Sequence, residues 1–251
     1  MDKVIISAAE AVADINDDAS IAFGGFGLVG IPSTLIQALL DQGAKNLTVV
    51  SNNCGIDGVG LGLLLESRRI AKVIASYVGE NKEFARQFLA GELEVELTPQ
   101  GSLAEKLRAG GAGIPAFYTP AGVGTLLADG GLPYRYATDG SVALASKPKE
   151  VRTFGESEYL LEESITTDFA LIHAHTADRF GNCVFNLSAQ NFNPIAAMAG
   201  RITIVEAEHV VEAGEIDPAD IHLPGIYVHR VIALTPVQAA NKRIEKLTVR
   251  T

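Results

Sequence analysis

The sequence predicts an α/β protein, an open and mostly parallel sheet with flanking helices. Three observations lead there. Strand-like and helix-like segments alternate through the first half of the chain, the order that builds parallel strands with crossover helices. The strand-like segments include short continuous apolar runs, as buried strands require. Finally, 251 residues with 47% hydrophobic content suffice for one large domain over 1–251, burying roughly 70–75% of the surface the unfolded chain exposes.

The first unit is the stretch 20–34, SIAFGGFGLVGIPST. Ile21, Ala22 and Phe23 read as a buried strand, and Gly24, Gly25, Gly27 and Gly30 then remove four Cβ atoms within seven residues. Such a loop permits positive φ angles and brings backbone N–H groups within reach of an anion, although a tight turn without a ligand uses glycine too. Pro32 suits the first turn of the next helix, whose apolar face is Leu35, Ile36, Leu39 and Leu40 and whose stop is Gly43.

A second strand is expected at 47–50, followed by a turn containing Gly55, Gly58, Gly60 and Gly62 and a leucine-rich helix from Leu61. A third strand at 73–78 precedes a helix whose Phe84 and Phe88, four residues apart, fall on its buried side. Residues 93–97 alternate as a fourth strand. Thr98, Pro99, Gln100 and Gly101 then turn into a helix for which Ser102 and Glu105 form a capping-box pattern. From 110 to 140, glycine and proline mark an elaborated loop region or small lobe, and no repeat is visible. Strands resume at 169–175, 184–186, 202–205 and 227–234, with a helix near 195–198; residues 241–251, with Lys242, Arg243, Lys246 and Arg250, read as a solvated tail.

Charge and cysteine content exclude several function classes. A net charge of −10 argues against a nucleic-acid or anionic-membrane surface, which needs concentrated Lys and Arg. No apolar run approaches a membrane span, the amino terminus lacks a signal-peptide pattern, and Cys54 and Cys183 have no paired spacing. A cytoplasmic protein with two packed thiols is the expectation. Gly25, Gly27 and Gly30 satisfy G-x-G-x-x-G, but the ribose-binding acid expected about 20 residues on is replaced by Ser51, Asn52, Asn53 and Cys54, so a nicotinamide enzyme is the runner-up. Ile31 stands where a Walker loop needs Lys. His173 and His175 share one strand face, but no third His, Cys pair or H-E-x-x-H pattern completes a metal site, and no G-x-S-x-G elbow supports an esterase.

Nearly the whole chain resembles the alpha subunit of a family I coenzyme A transferase of the succinyl-CoA:3-ketoacid type. The blocks that carry the resemblance are GGFGLVGIP, SNNCGIDGVGLGLLL, SYVGENKEF, GELEVELTPQGSLAEKLRAGGAGIPAFYTPAGVGT, ADRFGN, NFNP and DIHLPGIYVHR. Asp18 departs from the family's first signature, which usually has Gly or Asn there. Gln190 stands where relatives often have Arg, and His173 and His175 where some carry Lys and Trp.

The resemblance implies the CoA-transferase fold and ping-pong transfer of CoA through a nucleophilic glutamate. In the family that glutamate lies in a Ser-Glu-Asn-Gly motif of a beta subunit. No such tetrapeptide occurs here; Glu80, in Gly79-Glu80-Asn81-Lys82, is a superficial lookalike in an alpha-type block and is read as structural. The implied assembly is a heterodimer or heterotetramer with that beta subunit, with no metal and no permanently bound cofactor, a CoA thioester being the substrate. Gln100 is the candidate catalytic contact, a neutral donor toward the acyl group. Gly24, Gly25, Phe26, Gly27, Leu28, Val29 and Gly30 are the candidate CoA-binding residues. Nearest alternatives are a 3-oxoadipate or short-chain fatty-acid CoA-transferase subunit; from other classes, the nicotinamide enzyme and a sugar-phosphate-sensing module remain.

Overall fold

A computed structural model describes residues 1–241, so the expectation of a solvated tail lies outside the described residues except at Asn241. The strands are β1 Ser20–Phe23, β2 Leu47–Val50, β3 Ile70–Ala75, β4 Glu94–Leu97, β5 Ala116–Thr119, β6 Pro133–Tyr136, β7 Val142–Ala145, β8 Val151–Phe154, β9 Ser157–Glu163, β10 Thr167–Asp178, β11 Cys183–Val184, β12 Gly200–Val211 and β13 Arg230–Ala233. The α-helices are α1 Ala8–Ala11, α2 Ser33–Gln42, α3 Gly62–Glu66, α4 Lys82–Leu89, α5 Gln100–Gly111, α6 Leu126–Asp129, α7 Asn193–Ala199 and α8 Pro236–Ala239.

The main sheet runs in the order β13-β12-β10-β1-β2-β3-β4, parallel throughout, with β11 antiparallel on β10. Alternation within each strand sends side chains to two cores. Ile21, Phe23, Phe169, Leu171 and Ile204 pack with Leu35, Ile36 and Leu39 of α2 on one face. Ala22, Ala170, Ile172 and Ala207 pack with Leu103 and Leu107 of α5 and Ala196 of α7 on the other. The small residues of that second face let α7 approach the sheet closely, with α5 packed beside it. The chain builds outward from β1 to β4, then returns to β10 on the other side of β1. The C-terminal ends of β1 and its neighbours therefore form a switch point, where open α/β sheets bind ligands.

Three local expectations are corrected. β3 ends at Ala75 and not at residue 78, because Ser76 leaves the ladder to bond Asn52 and Gly79 turns the chain at φ +72°. The capping box at Ser102 and Glu105 does not form. α5 starts three residues earlier, behind Pro99, whose carbonyl accepts from Leu103 N–H; Ser102 is buried, and Glu105 pairs with Arg108. Residues 142–163, where the sequence pattern predicts no element, hold β7 to β9. With β5 and β6 they make a three-stranded antiparallel sheet and a hairpin, the lobe anticipated from 110 onward. β7, VALA, is a short apolar run that is nonetheless mostly exposed, and β8 is exposed throughout. The lobe is tied to α5 by Glu162, which is 1% exposed and accepts from Lys106 at 3.0 Å and Lys149 at 2.6 Å.

Candidate active site

Four consecutive parallel strands deliver their C-terminal ends to one edge, and each end carries a polar or glycine-rich segment. From β2 the buried run Ser51, Asn52 and Asn53 follows directly on Val50. Asn52 is 2% exposed, and its Nδ2 donates to Ser76 Oγ, just past β3, at 2.9 Å and to Gln100 Oε1, just past β4, at 3.3 Å. Ser76 Oγ donates in turn to Asn52 O at 3.1 Å. A buried side-chain amide thus holds the amide of Gln100 by its oxygen, which turns Gln100 Nε2 outward as a donor.

Gln100 is also the first residue of α5, a helix of 12 residues. The N–H groups of that first turn have no intrahelical acceptor and carry the positive end of the helix dipole. A Cβ on Gly101 would meet nothing within 4 Å, so this corner is open to an incoming group. Neutral donors and a helix N-terminus together suit an oxygen that gains negative charge.

The candidate CoA-binding loop, Gly24 to Gly30, stands at the end of β1 on the same edge. Its local form differs from a dinucleotide loop, because Phe26 and Val29 bond each other through both N–H groups at 3.0 Å, making a tight hairpin before α2. Those two N–H groups are therefore committed within the loop and are not offered to an anion. Gly25, Gly27 and Gly30 take φ of +106°, +61° and +69°, as the hairpin demands. No hydrogen bond among the described residues joins this loop to Gln100.

The turn after β2 repeats this geometry. Ile56 and Val59 form the same kind of bridge, flanked by Gly55 and Gly60 at φ +64° and +62°. A Cβ on Gly60 would lie 3.0 Å from Ile31 and 3.3 Å from Leu28, so the two hairpins pack side by side. The two segments share only Gly25/Gly55 and the Val-Gly pairs Val29-Gly30/Val59-Gly60, too little to mark a repeat in the sequence.

Beneath the glycine loop lies a buried polar layer that sequence reasoning missed. His173 on β10 places Nδ1 2.9 Å from Glu206 Oε1 and Nε2 3.0 Å from Glu208 Oε1, both on β12. Burial alone would lower its pKa, but the two glutamates outweigh burial and raise it to about 9. Burial pushes both thiols, Cys54 and Cys183, well up, which makes them inert packed groups. Asn193 of the NFNP segment, fully buried, is the other missed residue. The available signals were polar residues in apolar settings: Ser51-Asn52-Asn53 ending a valine strand, and Glu206 and Glu208 alternating along β12.

His209 on β12 lies beside His175. His175, Glu208 and His209 bring one ligand atom each within 4.8 Å of one another. Glu208 already takes the His173 bond, and His175 Nδ1 lies 2.9 Å from Thr176 Oγ1. Glu80 is exposed in the turn before α4, whose N-cap is Asn81.

Comparison with known proteins shows the family. The sequence model described as Coenzyme A transferase matches residues 5–234. A Mycobacterium bovis protein, named as a probable succinyl-CoA:3-ketoacid coenzyme A transferase subunit, is 65% identical, with 100% of each chain covered. The human mitochondrial succinyl-CoA:3-ketoacid coenzyme A transferase 2 is 55% identical over 96% of this chain, which spans 46% of that protein. Among solved structures, the acyl-CoA transferase apoenzyme of Escherichia coli O157:H7 superposes with a TM-score of 0.78 at 26% identity, over 94% of this chain and 48% of that one. Glutaconate coenzyme A-transferase of Acidaminococcus fermentans shares the fold, with a TM-score of 0.76 at 23% identity, over 95% and 77%. The present chain thus spans about half the length of the human and Escherichia coli relatives. On the family match and the full-length similarity together, the chain belongs to the coenzyme A transferase family.

Proposed function

We propose that the chain is the alpha subunit of an enzyme that moves CoA from succinyl-CoA to a 3-oxo acid such as acetoacetate. The nucleophile in this reading is a glutamate of a beta subunit carrying Ser-Glu-Asn-Gly, a tetrapeptide this chain lacks. Its carboxylate attacks the thioester carbonyl and expels CoA thiolate, leaving an acyl-glutamyl anhydride. The thiolate then attacks the glutamyl carbonyl, expels succinate and leaves a glutamyl-CoA thioester. The acceptor acid runs both steps in reverse.

Each tetrahedral intermediate bears an oxyanion, and a suitably placed donor is worth roughly 3 kcal/mol. Gln100 is assigned that role, and the observation that carries the reading is its fixation by Asn52, which aims a neutral N–H pair outward from the switch-point edge. A neutral donor stabilises the oxyanion without pairing with the attacking carboxylate. The glycine hairpin Gly24 to Gly30 is assigned to CoA. No metal or permanently bound cofactor enters the scheme.

Exposed apolar side chains support a partner on this edge. Phe26, Val59 and Tyr77 follow β1, β2 and β3, Leu97 ends β4, and all four are exposed. No helix among the described residues is long and apolar enough to cross a membrane, so these side chains are not explained by a span. The test is reconstitution: the chain alone has no succinyl-CoA:acetoacetate exchange, and adding the beta partner restores it. Turnover by the isolated chain would refute the assignment.

A further inference from the structure

The glycine hairpin and the helix behind it are held from below by two buried groups, and both are gripped by the same residue. Glu206, 1% exposed, accepts from Leu35 N–H at the start of α2 through Oε2 at 2.9 Å and faces His173 Nδ1 through Oε1. A carboxylate at that position satisfies a first-turn N–H and meets the positive end of the helix. Asn193 donates from Nδ2 to Gly30 O at 2.9 Å and Ala189 O at 2.7 Å, while its Oδ1 accepts from His173 N–H at 3.0 Å. Asn191 Nδ2 adds a bond to Val29 O at 3.1 Å, and the Phe192 ring lies 6.4 Å from that of Phe26.

His173 is therefore bonded at three points: its backbone N–H to the strut of the hairpin, one ring nitrogen to the cap of α2, and the other to Glu208. Both ring nitrogens can donate to the carboxylates they face only when each carries a proton. Leu28 and Ile31 face His173 and Glu206 across a small cleft, which places the hub directly under the loop. Nothing in the transfer chemistry calls for a buried cation here.

We propose that His173 is a positioning residue, which fixes the glycine hairpin and the start of α2 through Asn193 and Glu206 and so sets how well acyl-CoA binds. This rests, for its effect on substrate, on the assignment of the hairpin to CoA. A cation between buried Glu206 and part-buried Glu208 holds both carboxylates in one orientation; a neutral side chain removes that cation from between two like charges. Glu206 then loses its fixed alignment with Leu35 N–H.

The test uses the chain assembled with its beta partner and compares His173→Gln with His173→Lys. For His173→Gln, amide hydrogen exchange across residues 24–35 accelerates, and KM for succinyl-CoA rises about tenfold with a smaller change in kcat, the pattern of lost ground-state binding. His173→Lys, which returns a cation, recovers most of both. Wild-type exchange across 24–35 in folded His173→Gln overturns the proposal. Faster exchange with an unchanged KM supports the positioning role and refutes the hairpin's assignment to CoA, so the two claims fail separately. If His173→Gln does not fold, Glu206→Gln keeps an acceptor for Leu35 N–H but removes the charge facing the imidazole. Accelerated exchange in that variant supports the hub, and unaltered exchange overturns it.

Discussion

Asn52 holds Gln100 by its oxygen, Nδ2 to Oε1 at 3.3 Å, so the amide at the start of α5 has a fixed direction. The bond also links the segment after β2 to exposed Gln100 after β4, with Ser76 after β3 bonded to the same amide.

Two variants separate the donor from its support. Gln100→Ala in the assembled enzyme lowers turnover by roughly 10²–10³-fold, as loss of one oxyanion donor does. Asn52→Ala leaves the amide in place but unaimed, so kcat falls less than in Gln100→Ala, and the double variant is no slower than Gln100→Ala alone. Additive losses, measured by steady-state kinetics, would show that Asn52 acts elsewhere.

The hairpin glycines divide by what surrounds them. A Cβ on Gly24 would lie 1.8 Å from Asn193 Oδ1, so Gly24→Ala displaces the strut and destabilises the fold. A Cβ on Gly27 meets nothing within 4 Å. Gly27→Val therefore bears only the left-handed strain of φ +61°, about 1–2 kcal/mol, and folds with impaired use of CoA. Thermal melts and KM for succinyl-CoA read the two effects; full activity in Gly27→Val places the ligand away from this position.

The alternation of strands and helices in the first four units was legible in the sequence because β1 and β2 are short apolar runs and the helices after β1 and β3 each have one buried face. The glycine loop stood out in the sequence by its four glycines after an apolar strand, whereas Gln100 was singled out only by the family resemblance of its block. The network behind Gln100 was not legible, since Asn52, Ser76 and Gln100 lie 24 residues apart in two steps and meet only through parallel pairing. His173, Glu206 and Asn193 were hidden for the same reason, because long-range register decides which polar residues of β10 and β12 face one another. The lobe strands were missed because they are short and mostly exposed, so neither a long apolar run nor a buried stripe sets them off from the loops around them.

Glu162 is a buried charge with two ammonium partners. Glu162→Ala leaves Lys106 buried without it and costs about 3–5 kcal/mol, a fall in Tm of roughly 6–20 °C for a chain of this size. A change under about two degrees, read by calorimetry, would show that the lobe is anchored elsewhere.

The raised pKa of His173 gives stability a definite pH sign. The folded pKa, about 9, lies above the ordinary 6.5, so the ring's contribution is complete below pH 6.5 and is lost as pH rises through about 9. The Tm difference between wild type and His173→Gln should accordingly shrink from about pH 6 to about pH 10. A difference that grows over that range is incompatible with a buried imidazolium.

If the reacting carboxylate belongs to the partner and this chain supplies donors around it, covalent capture of the intermediate reveals the division of labour. The assembled enzyme is incubated with succinyl-CoA and no acceptor, trapped with borohydride or hydroxylamine, and mapped by mass spectrometry. One labelled glutamate is expected, in the Ser-Glu-Asn-Gly motif of the beta subunit, and none in this chain. Label on Glu80, or on any other carboxylate of this chain, would place the nucleophile here instead.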